Sequence, residues 1–218
     1  YEVALHGGPS QPRQTDFFHA LPTDDDGGTM AQTDIKAEMS PTHYQYKGRY
    51  VMTAVKSGLM IIDQQRADIR IRYERIMEQM AHKTATTQRL LFPEIVEFSP
   101  ADNILLQQYL PDIVAMGFEI SHLGGGSYAV GGVPSQLDGF DPVRMVRNLV
   151  SDAALQGGGD ASKLHEALAL SLARYAAIPV GQVLSNEEME RLVNELFQCA
   201  NVNYTPDGKA IIAMASRT

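Results

Sequence analysis

Residues 50–73 read YVMTAVKSGLMIIDQQRADIRIRY. The stretch divides into strand, tight turn, strand and helix. Val, Thr, Met and Ile fill Tyr50–Val55 and Leu59–Asp63, and Lys56-Ser57-Gly58 between them supplies the positive-φ glycine that a hairpin needs. Gln64-Gln65-Arg66 reads as a polar hinge that opens the helix. Ile69, Tyr73, Ile76, Met77 and Met80 then recur as one apolar stripe of helical period. Asp68–Arg72 and Arg70–Glu74 are opposite charges four residues apart, expected as pairs on an exposed face. The strand-to-helix junction Asp63–Glu74 is where chemistry is expected, if the chain performs any.

The totals narrow the class. A chain of 218 residues has room for one domain or two modest ones, and 44% apolar residues suit a folded core. A formal net charge of −8 argues against a free-standing nucleic-acid binder, which needs concentrated Lys and Arg. The single cysteine, Cys199, excludes a disulfide framework and a cysteine zinc site within one chain, and it reads as a small core residue. No apolar run approaches membrane-spanning length, and no basic-then-apolar leader is present. A start at Tyr1 rather than Met reads as a piece of a longer protein.

Upstream, residues 1–43 hold Gly7-Gly8-Pro9, Pro12, Asp24-Asp25-Asp26-Gly27-Gly28 and Pro41, with sparse apolar residues, and read as a flexible acidic linker. From Tyr44 the pattern is globular, with Tyr46–Val55 read as one loosely alternating strand. Downstream, QRLLFPEIVEFS (88–99) reads as an extended segment that Pro93 confines to an edge or a bulge. Ser99-Pro100-Ala101-Asp102 starts a helix, with Leu106, Leu110 and Ile113 inward and a kink or break expected at Pro111. Gly117 ends it, and Phe118–Leu123 and Tyr128–Val133 form a hairpin across Gly124-Gly125-Gly126. Three helices follow. Asp141-Pro142 caps the first, Gly157-Gly158-Gly159-Asp160 breaks the chain before the second at Ala161–Ala177, and a Ser185–Glu188 capping box opens the third. Thr205-Pro206-Asp207-Gly208 is a turn, and Ala210–Met214 a last strand. The order predicts an α+β fold in two packed lobes.

No local ligand set such as HxH, CxxC or HExxH occurs, and His6, His19, His43, His82, His122 and His165 are scattered. The glycine triplets lack the pattern and context of a phosphate loop.

Four pieces, taken in order, carry a resemblance to a family. GRYVMTAVKSGLMIIDQQRADIRIRYERI, LLFPEIVEFSPAD, YAAIPVGQVLSNEEMERLVNELFQC and NYTPDGKAII together resemble the C-terminal domain of MutL, the mismatch-repair ATPase, over about Tyr44 to Ala213. The resemblance implies a dimerisation lobe of mixed sheet with helices, over 44–87 and 181–218. It implies an inserted outer, regulatory lobe over 88–180, and a linker at 1–43 leading from an ATPase domain. In nuclease-competent members the matching motifs form a two-metal endonuclease site, and here the departures fall on the ligand positions. Asp63 and Glu74 are kept. Gln65 stands for the motif's His, Arg66 for its Ala, Ile69 for its first Glu, and Arg174 for a Cys. In the late turn Thr205 stands for a Cys, Asp207 for a His, Lys209 for an Arg and Ala210 for a Pro. The expectation is therefore a domain that is not an enzyme and carries no cofactor or metal. The competing reading is a residual metal-dependent nicking endonuclease built on Asp63, Glu74 and Asp207.

A second motif is better kept. Some members bind the replicative sliding clamp through QxxLxP, matched here by Gln88, Leu91 and Pro93 within QRLLFP. An extended strip of this kind offers a polar amide beside apolar side chains that enter a pocket. The competing reading packs Leu90, Leu91 and Phe92 under the helix at 100–116. The resemblance further implies a homodimer, a mismatch-recognition partner of the MutS type, contact with DNA through the full-length protein, and a cytoplasmic, nucleoid-associated setting without membrane. Val51, Thr53, Leu59, Ile61 and Ile211 are the residues expected at the dimer face.

Overall fold

The computed structural model of the protein describes residues 42–137, 139–156 and 161–216. The expected linker lies outside the described residues up to position 41, as does the glycine break at 157–160.

The quoted stretch folds as its sequence dictates, with one addition. Strands β2 (Tyr50–Val55) and β3 (Gly58–Asp63) pair antiparallel around Lys56-Ser57, with Gly58 opposite Val55 at φ 139°. A further strand, β1 (His43–Tyr46), pairs with β2, so the single strand expected over Tyr46–Val55 is a hairpin. Lys47 and Gly48 take φ 52° and 57°, and the Arg49 N–H donates to Tyr46 O at 3.1 Å. That is a turn with both central residues left-handed, the geometry whose twist suits a hairpin. His43, expected as the end of the linker, is already strand and pairs with Thr53.

The helix α1 (Gln64–His82) begins directly after β3 with no hinge. Asp63 is its N-cap, accepting from the Arg66 N–H, so the junction residue itself supplies the first-turn acceptor. Its buried residues are Gln64, Ala67, Asp68, Arg70 and Ile71. Ile69 and Tyr73 of the expected stripe are only half-buried. The rotation arises because α1 is packed from several sides and its charged residues have partners there. Asp68, expected outside, is buried and accepts the Ile178 N–H at 2.8 Å as well as Arg72 Nε at 2.8 Å.

Strand β4 (Thr87–Glu97) is irregular between Arg89 and Glu94, around Pro93, and forms one edge of a sheet ordered β4-β6-β5. The helix α2 (Pro100–Ala115) starts at the Ser99 cap and runs through Pro111 without a break. Pro111 is exposed, and Leu106, Tyr109 and Ile113 are anchored in the core on both sides of it. Strands β5 (Glu119–Gly124) and β6 (Ser127–Pro134) are the glycine hairpin. Helices α3 (Pro142–Gln156), α4 (Ala161–Ala176) and α5 (Asn186–Leu196) follow, α5 with its full capping box between Ser185 and Glu188. The last strand, β7 (Ile212–Ser216), begins two residues later than expected, because Ala210 is bridged to Tyr204 instead.

The fold is α+β with two sheets. The first, β1-β2-β3-β7, is antiparallel throughout, where a mixed sheet was expected, because β7 comes back alongside β3 in the opposite sense. Each sheet has its own core. Val51, Val55, Met60 and Ile62 meet Ala67 and Ile71 of α1 and Met189, Leu192 and Leu196 of α5. Val96, Tyr128 and Val130 meet Leu106, Ile113, Leu149, Leu168 and Leu172. The 19-residue helix α1 joins the two, because its later residues Ile76 and Met80 pack on the second core.

Candidate functional site

The junction after β3 is a cluster of committed charges. Asp63 is 5% exposed. Its Oδ1 accepts the Arg66 N–H at 3.1 Å, and its Oδ2 lies 3.4 Å from Arg49 Nε and 3.5 Å from Arg66 Nε. Arg66 Nη1 also donates to Ala210 O at 2.6 Å, which ties the helix start to the chain after the late turn. In that turn Asp207 Oδ2 lies 2.9 Å from Arg174 Nη2 and 3.0 Å from Lys209 Nζ. Burial would raise the Asp207 carboxyl, but hydrogen bonds with Thr205, Lys209 and Arg174 outweigh it and hold the group well below the usual carboxylate range. Thr205 is buried and accepts the Lys209 N–H at 2.9 Å, so it shapes the turn.

Glu74 is occupied elsewhere. Its carboxylate accepts the N–H groups of Ala200 at 2.7 Å and Asn201 at 3.4 Å, and pairs with Arg70 at 3.4 Å. It fastens the segment after α5, while Arg70 Nε donates to Tyr204 O at 2.8 Å. Three turns of helix, roughly 16 Å, separate Glu74 from Asp63 along α1. Arg66 thus links Asp63 to Ala210, three residues after Asp207, while Glu74 is tied to residues 200 and 201.

A polar hub missed in the sequence sits beside Asp63. Gln64 is fully buried; its Nε2 donates to Gly48 O at 2.7 Å and Gln182 O at 3.0 Å, and its Oε1 accepts from Gln45 Nε2 at 2.6 Å. Gly181 N–H donates to Gly48 O at 2.8 Å, and a Cβ on Gly48 would fall 2.6 Å from Gly181 O. The signal available was the Lys47-Gly48 turn opposite the Gly181-Gln182 step, which no periodicity connects.

The first sheet has one inner and one open face. Val51, Thr53 and Ile211, expected at a dimer face, are 0%, 0% and 2% exposed, so they belong to the protein's own core. Successive strand residues alternate between faces, so the neighbours of Val51 and Thr53 point the other way. Leu59 and Ile61 lie opposite Ala54 and Met52 on that other face, half-buried, with Tyr44 next to Met52 and Ala213 and Ala215 next to Ile61 and Leu59.

The strip on β4 stands out of the fold. Gln88 and Pro93 are exposed, Leu91 is 88% exposed and Phe92 77%. Only Leu90 packs, partly, on the second core. The competing reading, with Leu90, Leu91 and Phe92 packed under the helix at 100–116, therefore fails for Leu91 and Phe92, which lie in the irregular part of β4 between Arg89 and Glu94. Among the histidines, His165 Nε2 is 2.6 Å from Asp112 and His122 lies against Tyr128. Buried His43 has no hydrogen-bond partner for Nδ1, and desolvation lowers its pKa.

The sequence model of the family described as the MutL C terminal dimerisation domain matches residues 43–184. The chain belongs to this family. It is 45% identical over 207 residues to the DNA mismatch repair protein MutL of Phocaeicola vulgatus, covering 93% of this chain and 33% of that one. It is 48% identical over 175 residues to MutL of Bacteroides fragilis (80% and 28%), and 41% over 203 residues to MutL of Parabacteroides distasonis (93% and 33%). The chain spans about a third of the length of these relatives.

The metal pair implied by the MutL resemblance can be tested against the side chains. Asp63 and Asp207 each lie against two cationic side chains, Glu74 holds backbone amides, and Gln65, Ile69 and Thr205 contribute an amide, an alkyl group and a buried hydroxyl. Among the described residues no three of His, Cys, Asp and Glu are grouped to hold a metal ion. A divalent cation needs converging donors, most often carboxylate, imidazole or thiolate, and a guanidinium beside it is repelled. Of these positions three carry carboxylates, and each carboxylate is held by the partners named above. Among the described residues no helix is long and apolar enough to cross a membrane.

Proposed function

We propose that this chain is the homodimerisation and partner-docking domain of a MutL-type mismatch-repair protein, without endonuclease activity of its own. The first sheet, with 44–87 and 181–218, makes the dimer lobe; 88–180 makes the outer lobe. The observation that carries the reading is the second face of the first sheet. Met52, Ala54, Leu59 and Ile61 lie there half-open in one chain, and a second copy covers them through a two-fold, self-complementary contact. Dimerisation holds two ATPase arms of the longer protein together. The Gln88–Pro93 strip then meets the replicative sliding clamp, its exposed Leu91 and Phe92 entering an apolar pocket. Arg66 and Arg174 fill, with fixed positive charge, the region where the resemblance would put metal.

Three measurements test this. Sedimentation velocity at micromolar protein gives a dimer; a folded species that stays monomeric ends the dimer reading. Supercoiled plasmid with manganese, the chain and the clamp stays intact; nicking that disappears in Asp63→Asn restores the nuclease reading. Gln88→Ala with Leu91→Ala weakens clamp binding; unchanged binding removes the strip.

A further inference from the structure

Four cations stand over two sunken carboxylates. Arg49 and Arg66 flank Asp63 Oδ2 at 3.4 and 3.5 Å, and Arg174 and Lys209 flank Asp207 Oδ2 at 2.9 and 3.0 Å. The two groups are joined through Arg66, whose Nη1 donates to the carbonyl of Ala210, the residue after Lys209. The side chains of Arg49, Arg66, Arg174 and Lys209 are 42%, 34%, 44% and 59% exposed, whereas those of Asp63 and Asp207 are 7% and 21% exposed. The group therefore turns positive charge to solvent, on a chain whose formal net charge is −8. Its contacts within the fold also leave donors over. A guanidinium carries five N–H donors and an ammonium three. Arg174 reaches Asp207 through Nη2, and Lys209 sends a single contact to the same oxygen. Three of the four cations are arginines, whose planar fork matches two oxygens of one phosphate.

We infer that Arg49, Arg66, Arg174 and Lys209 form a contact surface for the phosphate backbone of duplex DNA. The inference rests on the mismatch-repair reading given above, which supplies DNA as the phosphate polymer this chain meets. Two linked pairs of cations suit a ligand with a row of anions, whereas a single phosphate would engage one pair and leave the other idle. The contact positions the duplex without reading its sequence, because it is made to phosphates and not to base edges. It weakens steeply with salt, since each neutralised phosphate releases counterions. The acidic excess of the rest of the chain repels the duplex, so this patch decides which side of the domain faces it. In a dimer two such patches act together, and the second contact forms at high effective concentration.

The test measures binding of the full 218-residue chain to a fluorescent duplex by anisotropy, over a salt series and with EDTA present. Arg174→Gln with Lys209→Gln raises the Kd about tenfold or more at low salt and lowers the salt slope by about two. Arg147→Gln with Lys163→Gln removes the same charge from exposed positions on α3 and α4 and leaves binding close to that of the unaltered chain. Asp207→Asn releases Arg174 and Lys209 from their carboxylate and binds the duplex more tightly, the opposite of what damage to the turn would produce. Inorganic phosphate at matched ionic strength does not displace the duplex. Circular dichroism of each variant matches the unaltered chain. Equal weakening by the two double variants makes the effect one of net charge and overturns the patch. Weaker binding by Asp207→Asn, displacement by inorganic phosphate, or binding that EDTA abolishes overturns it as well. A chain that sediments as a dimer but does not bind the duplex overturns this inference and leaves the dimer reading standing. A folded monomer that binds through the patch does the reverse.

Discussion

Arg174 Nη2 lies 2.9 Å from Asp207 Oδ2, and Lys209 Nζ lies 3.0 Å from the same oxygen. The carboxylate is therefore held by two cations from different parts of the chain, one on α4 and one in its own turn. Its folded pKa is depressed below the ordinary value of 3.8 despite the opposing effect of burial. A depressed carboxyl stabilises the fold above its unfolded pKa, and the contribution fades as pH falls through the folded value. The Asp207 side chain is 21% exposed and its partners 44% and 59%, so solvent screening limits the effect to about 1 kcal/mol. Asp207→Asn is expected to lower the urea midpoint at neutral pH. The difference from the unaltered chain should shrink below roughly pH 4; a difference independent of pH would mean that the ion pairs contribute nothing.

Gln64 ties three separate parts of the chain together. Its own amide is fully buried, donates to the carbonyls of Gly48 and Gln182 and accepts from Gln45. Gln64→Leu keeps the volume but removes three hydrogen bonds. Gly48 O keeps the Gly181 N–H and Gln182 O keeps Gln45 Nε2, so the cost is that of one buried polar hub, about 1–3 kcal/mol. A loss of about 1–3 kcal/mol in chemical denaturation is expected. Gly48→Ala attacks the same hub sterically, since the new Cβ meets Gly181 O at 2.6 Å with φ at +57°. A loss under about 0.5 kcal/mol in both variants would show that the hub relaxes freely.

Much of this was legible in the sequence, for local reasons. The hairpin Tyr50–Asp63, the Ser99 and Ser185 caps and the Gly124–Gly126 turn depend on a few adjacent residues, and each formed as expected. The expectations that failed required knowledge of distant partners. Asp68 and Arg70 look like surface charges until Ile178 and Tyr204 are brought to them. Val51, Thr53 and Ile211, expected at a dimer face, turn inward, because alternation separates two faces without saying which one the helices cover. At the candidate site, the substitutions at Gln65, Arg66, Ile69 and Arg174 were visible in the sequence. The pairing of Arg174 with Asp207 and the duty of Glu74 as a loop anchor were not, since both span long stretches of chain.

Cys199 is a buried thiol with no role in the chemistry above. Burial pushes its pKa up to about 12, with the nearby Glu74 carboxylate adding to the rise. The thiolate is the reactive form, so the native protein should react very slowly with an aromatic disulfide reagent at neutral pH. Unfolding in urea should release one reactive thiol per chain. Fast stoichiometric labelling of the native protein would contradict the burial of Cys199.

Ile61 and Ile62 are neighbours on β3 that face opposite ways, and this separates folding from assembly. Ile62 is 0% exposed and packs in the first core beside Val51 and Met60. Ile62→Ala removes buried volume and is expected to cost about 2–5 kcal/mol in denaturation. Ile61 is half-buried on the open face, opposite Met52 and Ala213. Ile61→Glu leaves the monomer core intact, but puts a carboxylate from each copy into an apolar contact where no partner awaits it. Sedimentation velocity should show the Ile61→Glu chain as a folded monomer, with circular dichroism unchanged, at concentrations where the unaltered chain is a dimer. If Ile61→Glu still dimerises at micromolar concentration, the open face of the first sheet is not the dimer surface, and the contact must lie on another face of the chain.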